Sequence, residues 1–246
     1  MTAATRRAMV LAAGLGRRMA PLTDARPKPL IEVAGKCLID WSLDRLQAAG
    51  VETVVVNCHH HAELVRTHLS RRATPRTVVL WEPDLLETGG GVVNALDQLG
   101  SDAFFVVNSD AIWLDRPGEA AALSRLTAAW HEADMDALLL LHDRQRAIGH
   151  DGDGDFLLAA DGRLSRRERG TKAPFLFAGV QLLHPRLFAG APDGPFSLNL
   201  LYDRALAAGR LYGTRHAGEW LHVGTPKAVA EAEAFLAADR GGGSPP

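Results

Sequence analysis

Two periodicities of apolar and polar positions alternate along the first part of the chain. Short, nearly continuous apolar runs at 8–12, 53–57, 77–81, 103–107 and 137–141 are rich in Val, Leu and Phe. Strands buried on both faces of a parallel sheet have this pattern, because neither side of the pleat meets water. Between them, residues 38–49 place Ile39, Leu43 and Leu46 on one helical face and stop at Gly50, a typical helix end. Residues 61–69 and 90–99 are further helix candidates, and 116–131 is a longer one beginning near Pro117, a residue suited to a first helical turn. This alternation predicts an open α/β sheet, Rossmann-like and mostly parallel, with helices on both faces and ligands at the carboxyl ends of the strands.

After about residue 142 the texture changes. Residues 142–154 are polar and contain glycine, and 155–159, 163–166 and 175–183 read as strands of a smaller mixed or antiparallel region. Asp161-Gly162 is a hairpin signal. Residues 197–208 and 226–238 read as amphipathic helices, and the tail 241–246 (GGGSPP) as disordered. No internal repeat is visible. The expected organisation is one domain over 1–240.

Composition narrows the class without deciding it. The 246 residues are 47% hydrophobic and 23% charged, an ordinary globular balance long enough for a substantial core. A net charge of −2 gives no nucleic-acid footprint, so any polyphosphate contact rests on local basic residues. Two cysteines, Cys37 and Cys58, are too few for a disulfide framework and point to a reducing cytoplasm. No run reaches membrane-spanning length. Arg6-Arg7 before AMVLAAGLG superficially resembles a signal peptide, but Arg17-Arg18 end a brief apolar stretch, which fits a buried first strand better.

Candidate chemistry is concentrated in residues 11–30, LAAGLGRRMAPLTDARPKPL. Gly14 and Gly16 follow the first strand, and glycine lets backbone N–H groups close around phosphate oxygens. Arg17 and Arg18 add forked donors, and Lys28, between Pro27 and Pro29, adds a compact charge. The dinucleotide fingerprint fails, because it needs a third glycine where Met19 stands. The P-loop fails too, since Gly35-Lys36 is followed by Cys37 and preceded at the required distance by Leu30.

The stretch resembles the opening signature of sugar-1-phosphate nucleotidylyltransferases, L-A-A-G-x-G-x-R-[LM]-x-P-L-T followed by P-K-P-[LM]. It is matched at Leu11, Ala12, Ala13, Gly14, Gly16, Arg18, Met19, Pro21, Leu22, Thr23, Pro27, Lys28, Pro29 and Leu30. The resemblance implies the nucleotide-diphospho-sugar transferase type of sheet, with 8–141 as the nucleotide-binding half and 142–238 as a sugar-phosphate-binding half. It also implies the reaction of an NTP with a sugar 1-phosphate to give an NDP-sugar and pyrophosphate. Lys28 and Arg18 take the catalytic roles, and Leu11, Ala13, Gly14, Gly16 and Arg17 contact the nucleotide.

Three later segments extend the resemblance. LETGGG at 86–91 resembles a glycine-rich turn that lies against the nucleoside, so Thr88, Gly89 and Gly90 are nucleotide candidates; Glu82 before it is placed to read a base edge. The structural alternative is a helix cap with Thr88 at the N-cap. VVNSD at 106–110 ends a strand in Asp110, the position of the family's Mg²⁺ carboxylate, and the alternative is a turn cap. EWLHVG at 219–224 carries His222 where the family's second metal ligand is aspartate. Imidazole suits a hard cation poorly. Either Asp110 holds Mg²⁺ with nucleotide phosphates and waters, or His222 acts through water or favours Mn²⁺, or activity is reduced; the first is preferred.

LETGGG, GDFL and FAGV followed by Leu183-His184-Pro185 are most similar to muramate-1-phosphate uridylyltransferases, implying UTP and N-acetylmuramic acid 1-phosphate. Mannose-1-phosphate guanylyltransferases, and cytidylyltransferases acting on a phosphorylated alcohol, are the alternatives. Asp155, Lys172, Gly179 and Asn199 are candidate sugar-phosphate contacts. A monomer or homodimer is expected, with no nucleic-acid or membrane partner. Cys58-His59-His60-His61, with Glu63 and His68 nearby, reads as a solvated loop rather than a metal site, and Cys37 as packing.

Overall fold

The computed structural model describes residues 5–241. In chain order it contains β1 (Arg7–Leu11), β2 (Glu32–Val33), β3 (Lys36–Cys37), α1 (Leu38–Ala48), β4 (Thr53–Cys58), α2 (Ala62–Leu69), β5 (Arg76–Trp81), α3 (Glu87–Leu99), β6 (Phe104–Asn108) and β7 (Ala111–Leu114). Then come α4 (Ala122–Ala129), β8 (Ala137–Asp143), β9 (Phe156–Leu158), β10 (Leu164–Arg166), β11 (Phe175–Leu183), α5 (Asn199–Ala207), β12 (Leu211–Arg215), β13 (Glu219–His222) and α6 (Pro226–Gly241). No described helix is long and apolar enough to cross a membrane.

Strands β6, β1, β4 and β5 lie side by side and parallel. β11 returns antiparallel along β6, β8 runs antiparallel to β11, and β12 joins β8 in parallel. β9 and β10 form an antiparallel pair at the far edge, and their turn contains the expected Asp161-Gly162 with Gly162 at φ +86°. β9 to β12 therefore complete the same nine-stranded sheet, while β13 pairs with β7 in a separate two-stranded ribbon.

The unbroken apolar strands are explained by cover on both faces. On one side Val10, Val56 and Val107 pack with Ile39, Leu43 and Leu46 of α1. On the other, Met9, Val55 and Val106 pack with Val92, Ala95 and Leu99 of α3 and Leu201 of α5. A third cluster joins Met19, Ile31, Ile112, Leu221, Val223 and Leu236. It anchors the opening loop to the β7–β13 ribbon and to α6.

Some boundaries differ from the sequence pattern. The helix expected over 116–131 is reduced to Ala122–Ala129. Gly118 stands at φ +82°, which no right-handed helix contains, and the Asp115 carboxylate accepts the Ala122 N–H at 2.8 Å to start the helix there. β7, β12 and β13 are short and gain their identity only from distant partners. Of the tail expected at 241–246, residue 241 ends α6 and the rest lies outside the described residues.

Candidate active site

At the carboxyl ends of β1, β4 and β6 lies a cavity of about 510 Å³. Leu11, Ala13, Gly14, Gly16, Arg17 and Arg18 of the opening segment border it, with Lys28, Thr88 and Asp110. A side chain at Gly14 would meet nothing within 4 Å, so its backbone faces open space. Gly16 has φ +61° and a Cβ there would lie 3.0 Å from Lys28 Cβ. Glycine is required twice at this position, for the left-handed backbone and for the passage of the lysine stem. The Met19 N–H donates to Gly16 O at 2.8 Å while its side chain is fully buried, which pins the loop to the core.

Lys28 is held by a 3-10 turn, Lys28–Leu30, with Pro29 in its first positions. Proline fixes φ there and sacrifices a donor the turn does not use. The Lys28 ammonium lies 2.7 Å from Asp110 Oδ2, with the two side chains 12% and 24% exposed. Burial pushes the Asp110 carboxyl up, but the Lys28 charge, helped by His222, outweighs it and holds the group below the usual carboxylate range.

Pairing of β13 with β7 sets His222 opposite Ala111, and the Val223 N–H donates to Asp110 O at 2.8 Å. His222 thus stands beside Asp110, stacked on Trp220 with ring centroids 5.9 Å apart and edge-on to His150 at 5.7 Å. Gly224 makes room for it, because a Cβ there would come 2.5 Å from His222 Nε2. Burial lowers the His222 pKa, with Lys28, His150 and Arg18 acting in the same direction and Asp110 against them.

Asn57, at the end of β4, was not singled out by the sequence pattern, yet it borders the cavity. Its Oδ1 accepts the Ala12 N–H at 2.9 Å and its Nδ2 donates to Glu82 Oε1 at 2.8 Å. Glu82 is only 1% exposed and sits behind the wall, where burial raises its pKa. Gly91 permits this arrangement, since a Cβ would meet Asn57 Nδ2 at 2.9 Å. Asn108 and Ser109 also face the cavity. The available signal was a polar residue closing an apolar strand, in TVVVN and FFVVN.

The triple glycine serves packing here. Gly89 and Gly90 both direct their N–H groups to Phe196 O, at 2.8 and 3.3 Å. The Phe196 ring occupies the space a Cβ at Gly89 would need, and the Gly194 carbonyl does so at Gly90. α3 starts at Glu87, three residues earlier than its periodicity suggests, with Leu86 rather than Thr88 at the N-cap. Thr88 Oγ1 instead accepts the Leu198 N–H at 2.9 Å, so Glu87 and Thr88 are the cavity-facing residues of this segment.

Asp155, Lys172, Gly179 and Asn199 do not border this cavity among the described residues. Asp155 Oδ2 accepts the Phe177 N–H at 2.9 Å, where β11 changes register against β8. Gly179, at φ +73°, packs against Asn108. Asn199 Oδ1 accepts from Arg166 at 2.8 Å, and Lys172 is exposed.

Residues 8–243 match the MobA-like NTP transferase domain. The chain belongs to this nucleotidyltransferase family. It is 48% identical to the N-acetylmuramate alpha-1-phosphate uridylyltransferase of Caulobacter vibrioides, over 96% of this chain and 99% of that one. It is 35% identical to the Neisseria meningitidis protein of the same name, over 94% and 99%. The fold is also that of the inositol-1-phosphate CTP transferase of T. maritima, with a TM-score of 0.79, 18% identity and 100% of both chains covered. A UDP-glucose pyrophosphorylase solved with UDP-glucose gives the same TM-score at 13% identity, over 96% of this chain and 100% of that one.

For a nucleotidyltransferase of this family the donor set beside Lys28 decides how a divalent cation can be held. Asp110 offers carboxylate oxygen at the cavity, and its neighbour His222 offers only nitrogen. This set fits a hard cation that takes most of its oxygens from nucleotide phosphates and water and one from the protein. It does not fit a cage of two protein carboxylates.

Proposed function

We propose that the cavity joins a nucleoside triphosphate to a sugar 1-phosphate, releasing pyrophosphate, and that the pair is UTP with N-acetylmuramic acid 1-phosphate. The Lys28–Asp110 pair beside the glycine turn supports the chemistry, and the 48% identical uridylyltransferase supports the substrates. Residues 8–141 form the nucleotide half and 142–238 the sugar half. These substrates and two free cysteines fit a cytoplasmic setting.

An oxygen of the sugar phosphate attacks the α-phosphorus in line, and the bond to the β-phosphate oxygen breaks. The nucleophile is already an anion, so the protein's work is alignment and charge stabilisation. Lys28 leaves Asp110 for the α-phosphate and stabilises its pentacoordinate state. Arg18 and Arg17, with the amides of Gly14 and Gly16, retain the departing pyrophosphate. Leu11 and Ala13 shape the nucleoside end with Thr88. Asn57, backed by Glu82, keeps the Ala12 amide fixed beside them, and Gly89 and Gly90 hold that wall against Phe196. Asp110 would hold Mg²⁺ or Mn²⁺, which supplies positive charge shared among the phosphates. Gly179, packed against Asn108, and Asp155 shape the sugar side, to which Asn199 and Lys172 are assigned as outer contacts.

A panel of NTPs against sugar and alcohol phosphates, read by pyrophosphate release with Mg²⁺ and with Mn²⁺, tests this reading. UTP with N-acetylmuramic acid 1-phosphate should give the highest kcat/KM. Faster turnover of GTP with mannose 1-phosphate, or of CTP with a phosphorylated alcohol, would replace the substrates. No release with any pair would overturn the chemistry.

A further inference from the structure

The Lys28–Leu30 turn borders two cavities. Lys28 and Pro29 face the first; Leu30 faces a second, of about 340 Å³, together with Cys37 and His68. Cys37 is the N-cap residue of α1, Asp40 lies in that helix's first turn, and His68 comes from the last turn of α2. The Cys37 sulfur, an Asp40 oxygen and a His68 nitrogen all lie within 4.8 Å of one another. His68 Nε2 and Asp40 Oδ2 are 2.8 Å apart. Arg72 binds the other oxygen of Asp40 at 3.3 Å, which leaves Oδ2 as the single oxygen directed at the group.

We propose that Cys37, Asp40 and His68 form a site for Zn²⁺ whose fourth position opens into the second cavity.

Sulfur with imidazole selects a borderline-soft cation over Mg²⁺, so the site is chemically distinct from Asp110. Ligands on one tetrahedral zinc stand roughly 3.3 Å apart for an N/O pair and about 3.5 Å for an S/N pair, from bonds of about 2.0–2.3 Å. The nitrogen and oxygen need to part by only about 0.5 Å, and the sulfur to approach by up to about 1.3 Å. Burial, with the negative charges of Asp40 and Glu32, pushes the Cys37 thiol up, Arg26 opposing. Arg26 and Arg71 also line the cavity, and they favour an anion such as chloride as the fourth ligand. Ligands drawn from the β3–α1 junction and from α2 also explain why the His59-His60-His61 run, the more conspicuous sequence, is not the site. Cys37 Sγ lies 3.7 Å from Leu30 O, so an ion here would bear on the turn that carries Lys28.

Co²⁺ titration of the purified, metal-free protein tests the site without reference to turnover, so its outcome is independent of the nucleotidyl-transfer reading. One equivalent should give tetrahedral visible bands and a thiolate-to-cobalt charge-transfer band, both displaced by Zn²⁺. Cys37→Ser should abolish the charge-transfer band. His68→Gln should weaken Co²⁺ binding at least ~10-fold, since even supporting contacts of metal ligands change affinity by about 10–100-fold. A triple change of His59, His60 and His61 to Gln should leave the spectrum intact. The two ligand variants lie on different elements, and metal-free thermal unfolding identifies any that fails to fold. The proposal is overturned if the wild type gives no thiolate band, if the band survives in Cys37→Ser, or if folded His68→Gln binds Co²⁺ as tightly as the wild type.

Discussion

Lys28 and Asp110, 82 positions apart in sequence, meet at 2.7 Å beside the cavity at the carboxyl ends of β1, β4 and β6. In the proposed reaction, the ammonium assigned to the α-phosphate is thereby held by the carboxylate assigned to the cation. The Lys28 charge keeps Asp110 ionised, and the contact orients both side chains until a ligand separates them.

Removing the ammonium should therefore affect turnover more than binding. Lys28→Ala is expected to lower kcat by ~10²- to 10³-fold, the size typical of losing one preorganised charge donor. Steady-state kinetics on the folded variant decide the matter; near-wild-type kcat would remove Lys28 from the chemistry.

His222 stands where a second carboxylate would reach the proposed cation, and it presents a half-buried ring whose pKa burial lowers. His222→Asp should lower the Mg²⁺ concentration needed for half-maximal activity, because it adds a hard oxygen ligand. An unchanged Mg²⁺ titration would argue that Asp110 and the phosphates already suffice.

Asn57 links the Ala12 amide to Glu82. Asn57→Ala would leave that amide without its side-chain acceptor and Glu82 without its donor. Both are buried, so a stability loss of about 1–3 kcal/mol is expected. Nucleotide KM should rise with a smaller change in kcat, which denaturant unfolding and NTP-saturation kinetics would show. A loss confined to kcat would assign Asn57 a role in the chemical step instead.

His142 is fully buried and neither ring nitrogen has a hydrogen-bond partner. Burial, with the neighbouring His216 and Arg146 charges, lowers its pKa from 6.5 to about 4, Glu219 opposing. The unfolded chain binds this proton first, so the stabilisation is complete above about pH 6.5 and is lost as pH falls toward 4. The full effect is about 3 kcal/mol. His142→Leu should flatten the fall in unfolding free energy between pH 6.5 and 4.5; an identical pH profile in both proteins would show that His142 is not its source.

The periodicity alone determined the parallel core, because strands covered on both faces need unbroken apolar runs and their helices need one apolar stripe. Residue types, not periodicity, drew attention to the glycine turn with Arg17, Arg18 and Lys28, because glycines and cations this close together in the chain suit a phosphate. Tertiary structure decided what depends on distant partners. It paired His222 with the neighbourhood of Asp110 through two short strands that have no local signature. It placed Glu82 behind Asn57 instead of in the cavity, and it gave the amides of Gly89 and Gly90 to Phe196. It also brought His68 of α2 to Cys37 and Asp40 at the start of α1, a grouping that no spacing along the chain foretells. Local patterns record which backbone conformation a segment favours; which buried polar groups satisfy one another is settled only when the packed elements bring them within hydrogen-bonding distance.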